Sequence, residues 1–174
     1  MKQINVKVLD NIDTIRQKLN KNKFIVRNYL YDIKIYLVKK DFDILKVNSI
    51  YDLKNYAIVE DNNTDKSVII YENKTLSSKI SNLNVMVDIL KELGYKELLY
   101  INKDIYKFEK GELSFEVYDV LNHGVFLSIN SSENADKIFD KFNELNIPID
   151  NSNTDIDIFN IVLKKQKKNN MEEI

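Results

Sequence analysis

Between Glu112 and Tyr118 polar and apolar residues alternate without a break. Glu112, Ser114, Glu116 and Tyr118 fall on one side, and Leu113, Phe115 and Val117 on the other. A period of two is what an extended chain needs if it is to bury one face and wet the other. The pattern recurs at Gln3, Asn5 and Lys7 against Ile4, Val6 and Val8. It recurs again at Asp32, Lys34 and Tyr36 against Ile33, Ile35 and Leu37, and at Ser128 and Asn130 against Leu127 and Ile129. Strands of this kind assemble in two ways. An open antiparallel sheet leaves its polar face in solvent, whereas a barrel turns that face inward onto a tunnel. Periodicity is satisfied by both.

Other segments place helices between the strands. Asp10 or Asn11 can cap a helix whose apolar stripe is Ile12, Ile15 and Leu19, because a short side-chain oxygen accepts the orphan N–H groups of a first turn. Val85, Met86, Ile89, Leu90 and Leu93 are spaced for a second helix that stops at Gly94, since glycine takes positive φ at little cost. Ser132 starts a third helix, with Ala135, Ile138, Phe139 and Phe142 inward, and Ile156–Leu163 closes as a short apolar helix or strand. Strands are expected at 24–38 (one long strand or two with a bend), 56–60, 67–73, 76–83, 98–108, 113–121 and 125–130, with tight turns at 109–112 and 122–124. Residues 41–54 fit no single pattern. The order is strand, helix, strands, helix, strands, helix, which is α+β rather than an alternating parallel sheet. One domain over 1–165 and a polar tail over 166–174 are expected.

Composition removes whole classes of chemistry. The 174 residues contain no Cys, so thiolate zinc sites, disulfides and cysteine nucleophiles are excluded. His123 is the single histidine, and as a turn residue away from the polar strand faces it is a poor general base. Gly94, Gly111 and Gly124 make no phosphate-cradling glycine motif. Lys plus Arg is 26 against 27 for Asp plus Glu, which gives no global field for nucleic acid or an acidic membrane. The N-terminus has no apolar leader run and no stretch is long enough to span a bilayer. A cytoplasmic protein without nucleic-acid or membrane partners is expected.

The order of segments resembles the CYTH superfamily, the triphosphate tunnel metalloenzymes that include class IV adenylyl cyclases and thiamine triphosphatases. Leu90-Lys91-Glu92-Leu93-Gly94-Tyr95 is similar to the family's L-x-x-L-G-F helix end. Ile101–Tyr106 is similar to its K-x-R-x-x-Y strand, and Tyr118–Asn130 to its D-x-V-x-x-L-G-x-F-x-E-I-E hairpin. Gln3–Lys7 sits where the family carries E-x-E-x-K, and Asp157–Leu163 resembles its closing S-Y-x-x-L-L segment. The resemblance implies a closed or nearly closed antiparallel β-barrel of about eight strands flanked by helices. It further implies glutamates that hold Mg²⁺ or Mn²⁺ and basic residues that hold a triphosphate.

The departures fall on that chemistry. At the four metal-ligand positions stand Gln3, Asn5, Ser128 and Asn130. Hard divalent cations want anionic oxygens, and these four carry no charge. Lys7 matches the signature lysine and Lys103 falls where arginine is usual, but Ile101 replaces a lysine and Ala57–Glu60 lacks both arginines of the L-R-I-R strand. Glu72 stands at the lysine of the T-Y-K strand, and Lys79 alone represents the R-x-E-x-E strand, with Ser81 and Leu83 at its carboxylates.

Three functions are therefore expected in order. The first is a degenerate CYTH-like protein, a pseudoenzyme with no catalytic residues, no metal and no cofactor. It would retain weak binding of a triphosphate, nucleotide or other small polyanion through Lys7, Lys103, Lys34 and Lys79, since lysine serves phosphate as a point charge. The second is an active cyclase or triphosphate hydrolase that builds an Mg²⁺ or Mn²⁺ site from Glu116, Asp119, Asp104, Asp32 and Glu72. The third is a scaffold for a protein partner, with the Lys164–Lys168 run as one contact.

Overall fold

The computed structural model describes residues 3–130 and 134–172. The Ser132 cap lies outside the described residues. Two compact units divide the chain: Met1–Leu30 with Lys103–Asp157, and Tyr31–Asn102 with Ile158–Ile174. Two long strands belong to both.

In the first unit, β1 (Ile4–Val8) follows the expected alternation, with Val6 and Val8 buried and Lys7 exposed. Asn11 caps α1 (Ile12–Lys21) by accepting from the Thr14 N–H at 2.9 Å. Ile15 and Leu19 then turn inward. The chain continues into β2 (Ile25–Lys39), one strand rather than two with a bend. The unit also contains the end of β6 (Tyr95–Lys110), β7 (Leu113–Val120), β8 (Gly124–Ile129), α3 (Ala135–Glu144) and a two-residue β9 (Ile149–Asp150). Gly124 at φ 110° and Asn122 at φ 67° make the β7–β8 turn, a left-handed region where a bulky side chain would be strained. Its core gathers Phe24, Phe108, Phe115 and Phe142, with ring centroids 5.4–5.7 Å apart around Phe115.

In the second unit, β3 (Tyr56–Asn62), β4 (Lys66–Tyr71) and β5 (Thr75–Lys79) pair in sequence beside the second half of β2. Helix α2 (Leu83–Glu92) begins at its Asn82 cap and buries Val87 and Leu90 against Ile35, Leu37, Ala57, Val59 and Val68. The expected strand at 76–83 is thus shorter, because Asn82 claims the next residues for helix.

Helix α4 (Ile158–Glu172) belongs to the same unit and differs from expectation. The residues from Lys164 on are polar, the kind of stretch that frays at a terminus, yet they are helical to Glu172. The apolar residues that open the helix, Phe159, Val162 and Leu163, are 2–7% exposed and anchor it at i, i+3 and i+4 spacing. Once nucleated, Lys and Gln propagate a helix well. Phe159 meets Tyr36 edge-on at 5.0 Å.

The ambiguous stretch 41–54 forms two 3₁₀ turns, Ile44–Lys46 and Ile50–Asp52. Asp43 accepts from the Leu45 N–H, and Asp52 accepts from the N–H groups of Asn48 and Ser49.

The strand order is β5-β4-β3-β2-β6-β7-β8-β1-β9. The pairs β1–β8, β1–β9, β2–β3, β3–β4, β4–β5, β6–β7 and β7–β8 are antiparallel. The α+β class and the antiparallel sheet expected from alternation are therefore present. The strands number nine rather than about eight, and the hydrogen-bond ladder ends at β5 and β9 without closing among the described residues. No helix there is long and apolar enough to cross a membrane.

Candidate functional site

In the first unit the strand register aligns one row of polar residues. Lys107 pairs with Glu116, Glu116 with Ser128, and Ser128 with Asn5. The opposite face holds Phe108, Phe115, Val117 and Leu127 in the core. Side chains of this row and its neighbours satisfy one another. Gln3 Nε2 donates to Ser128 Oγ at 2.5 Å, and the Tyr118 hydroxyl donates to Glu116 Oε2 at 2.8 Å. Ser128 is only 3% exposed, the one polar residue among the described residues buried as deeply as the core. Burial pushes the Tyr118 phenol up to about 12. Hydrogen bonds from the Ser128 side oppose that shift, and the Glu116 charge adds to it.

Asn5 is stitched to the chain near 155 instead of facing an open space. Its Nδ2 donates to the Ile156 carbonyl at 3.1 Å, its backbone N–H to Thr154 O at 3.0 Å, and its own carbonyl accepts from Ile156 N–H at 3.3 Å. Its Oδ1 is buried and meets no donor among the described residues. Asn130 lies just past the end of β8 and is exposed.

These residues do not fit a divalent cation. Two of the four, Gln3 and Ser128, are engaged with each other, a third is held by a backbone carbonyl, and none carries charge. Glu116 is the one carboxylate in the row and already accepts from Tyr118. The other carboxylates are scattered. Asp104 and Asp119 are register partners on the core side of the sheet, where Tyr29 donates to Asp104 at 2.6 Å. Burial first, then the charges of Asp104 and Asp13, hold the Asp119 carboxyl above the usual carboxylate range. No group of three or more His, Cys, Asp or Glu among the described residues is arranged to hold a metal.

The basic candidates divide between the units. In the first, Lys7 is exposed, its Cε 3.7 Å from where a side chain on Gly124 would begin, and its register partner on β9 is Asp150. Lys103 Nζ lies 4.8 Å over the Tyr118 ring, a cation–π placement. Lys107 was not among the sequence candidates. Counting two and four places on from Lys103 along the alternation places it on the polar face.

In the second unit, Lys34, Glu60, Ser67 and Lys79 fall in one register row across β2, β3, β4 and β5. Lys34 Nζ is 3.8 Å from Asp32 Oδ2 and 3.9 Å from Glu60 Oε1, so its charge is compensated at home. Lys79 sits on the wholly exposed β5. Glu72 is bound by Lys39 Nζ at 2.9 Å and by the Tyr95 hydroxyl, and those two bonds, Lys39 first, hold its carboxyl below the usual range. His123 lies in the β7–β8 turn, its backbone N–H donating to Val120 O at 2.9 Å.

No protein-family model and no curated protein matches the sequence. Solved structures do match in fold. A candidate adenylyl cyclase of Hippeastrum, HpAC1, described as revealing a dominant triphosphatase activity, is similar at TM-score 0.54 and 10% identity, over 94% of this chain and 95% of its own. PH1819 of Pyrococcus horikoshii is similar at 0.53 and 16%, over 97% and 99%. PH1012 of the same organism is similar at 0.52 and 16%, over 92% and 99%. At such identities the likeness establishes the fold, and this chain has the CYTH-like fold that the order of its segments suggests.

Proposed function

We propose that this chain is a CYTH-superfamily protein that has lost metal-dependent phosphoryl chemistry and retains weak, metal-independent binding of a small polyanion. The observation that carries this reading is the row at β1, β7 and β8. The positions where the resemblance calls for anionic oxygens to hold Mg²⁺ or Mn²⁺ carry uncharged residues instead: Gln3 bonded to Ser128, Asn5 bonded to the Ile156 carbonyl, and Asn130 exposed. Without a cation there is nothing at these positions to neutralise charge on the phosphates or to align them for attack.

The anion contacts we assign are Lys7 and Lys103, both of the first unit; Lys79 lies exposed on the second. Lys34 is the poorest of the four, because Asp32 and Glu60 already balance it. Lysine binds phosphate as a point charge, so a site of few lysines with no arginine in the candidate set is weak and sensitive to salt.

Calorimetry with tripolyphosphate and ATP, with and without Mn²⁺, tests the reading, alongside phosphate release and cyclic-nucleotide formation. We expect weak binding that Mn²⁺ does not tighten, no turnover, and loss of the signal in Lys7→Ala with Lys103→Ala. Mn²⁺-dependent turnover would sink the proposal in favour of an active triphosphatase or cyclase. No binding at any salt would favour a protein-interaction scaffold.

A further inference from the structure

Helix α2 carries more apolar surface than its own core uses. Val87 and Leu90 are buried in the second unit, yet Val85, Ile89 and Leu93 are 54%, 47% and 65% exposed. These three stand four residues apart, so they form one ridge along the helix, about 12 Å long at the usual rise per residue. On one side of this ridge lie Met86 and Leu90, which pack into the core of the unit. On the other side lies a second exposed ridge, Asn84, Asp88 and Glu92. Lys91 belongs to the next ridge round, with Leu83 and Val87, and does not border the groove. Between the two exposed ridges runs a groove with one apolar wall and one wall carrying two carboxylates.

Ridges spaced by four residues pack into grooves of the same kind on another helix, the commonest mode of helix packing. A ridge of aliphatic side chains exposed together, rather than singly, marks an interaction surface. The charges decide what kind. An antiparallel pairing with a second copy would set Asp88 and Glu92 of one chain beside those of the other, which repels. A helix whose apolar ridge is flanked by lysine or arginine would instead bury Val85, Ile89 and Leu93 and meet the two carboxylates with opposite charge.

We propose that the groove of α2 is a docking site for a basic amphipathic helix of a partner protein. The placement of α2 alone carries this, so it stands or falls separately from the reading of the β1–β8 face. The probe is a pair of labelled synthetic peptides of about 18 residues, long enough to form helix. Both carry leucines at every fourth position; one has lysines and the other glutamates on the adjoining ridge.

Fluorescence anisotropy with the full chain is expected to show binding of the lysine peptide only, weakening as salt is raised. The triple variant Val85→Ser, Ile89→Ser, Leu93→Ser should weaken it about tenfold or more, and Asp88→Asn with Glu92→Gln by a few-fold with loss of the salt effect. All five side chains are exposed, so these variants are expected to fold, which circular dichroism checks. Equal binding of both peptides, unchanged binding by the variants, or no binding of the lysine peptide would overturn the proposal. So would a dimer in sedimentation that Ile89→Ser dissolves, because the ridge would then belong to a second copy.

Discussion

In the first unit the polar face of the strands is finished by hydrogen bonds between side chains and to one backbone carbonyl: Gln3 to Ser128, Tyr118 to the Glu116 carboxylate, Asn5 to the Ile156 carbonyl. In the second unit the same alternation, Asp32, Lys34 and Tyr36, is finished by charge and by packing. Lys34 lies between Asp32 and Glu60, and Tyr36 is covered by Phe159 of α4. The difference shows two ways in which polar residues on a strand face are satisfied. Hydrogen bonds between neighbouring side chains suffice where those reach one another, as on β7 and β8. Where a helix is available to cover the face, aromatic packing replaces them.

That comparison can be broken at its strongest point first. Phe159 is 7% exposed, and Phe159→Ala is expected to cost about 3–5 kcal/mol and to lower the helical signal of α4. Urea denaturation followed by circular dichroism reads both. A loss below about 1 kcal/mol would mean that packing of α4 does not hold this face.

Ser128→Ala comes next. It strips the acceptor of Gln3, which is exposed and can turn to water, at an expected cost of about 0.5–1.5 kcal/mol, the net worth of one hydrogen bond. A neutral outcome by denaturant unfolding would show that the network of the first unit is decorative.

The same network sharpens into a pH effect. The Tyr118 phenol is raised to about 12 from an ordinary value of 10. The folded chain therefore holds this proton more tightly than the unfolded chain. The associated stability is complete below pH 10 and is lost as pH rises toward 12. Tyr118→Phe should remove that part of the alkaline loss and one high-pH step from the 295 nm phenolate titration; an unchanged alkaline profile would refute it.

The smallest effect is expected in the second unit. Lys34→Met should change stability by about 0–1 kcal/mol, because its ion pairs are long and partly open to solvent. A loss above about 2 kcal/mol would show that charge, and not aromatic packing, carries this face.

Period-two alternation fixed the strands that matter here before any coordinates, because a half-buried strand has no other way to arrange its side chains. A cap at Asp10 or Asn11 and the stop at Gly94 were equally readable, since capping is chemistry between residues three or four apart; the structure selects Asn11. The length of α4 was not. Its lysine-rich half looks like a solvated tail, and only the burial of Phe159, Val162 and Leu163 explains why the helix starts and then runs to Glu172. Residues 41–54 resisted for a related reason: Asp43 and Asp52 fold their own neighbours into 3₁₀ turns that have no hydrophobic period.

By itself the sequence put four uncharged residues, Gln3, Asn5, Ser128 and Asn130, where the resemblance calls for glutamate. It also put Lys7 and Lys103 at basic positions of the resembled motifs and offered Lys34 and Lys79 as further candidates. Only the tertiary structure decided what those residues do instead. It joined Gln3 to Ser128 across 125 residues of chain, tied Asn5 to Ile156, and set Lys34 between two carboxylates. Side-chain identity sets which bonds a residue can make, but which partner arrives within 3 Å depends on strand register and on contacts far apart in the chain.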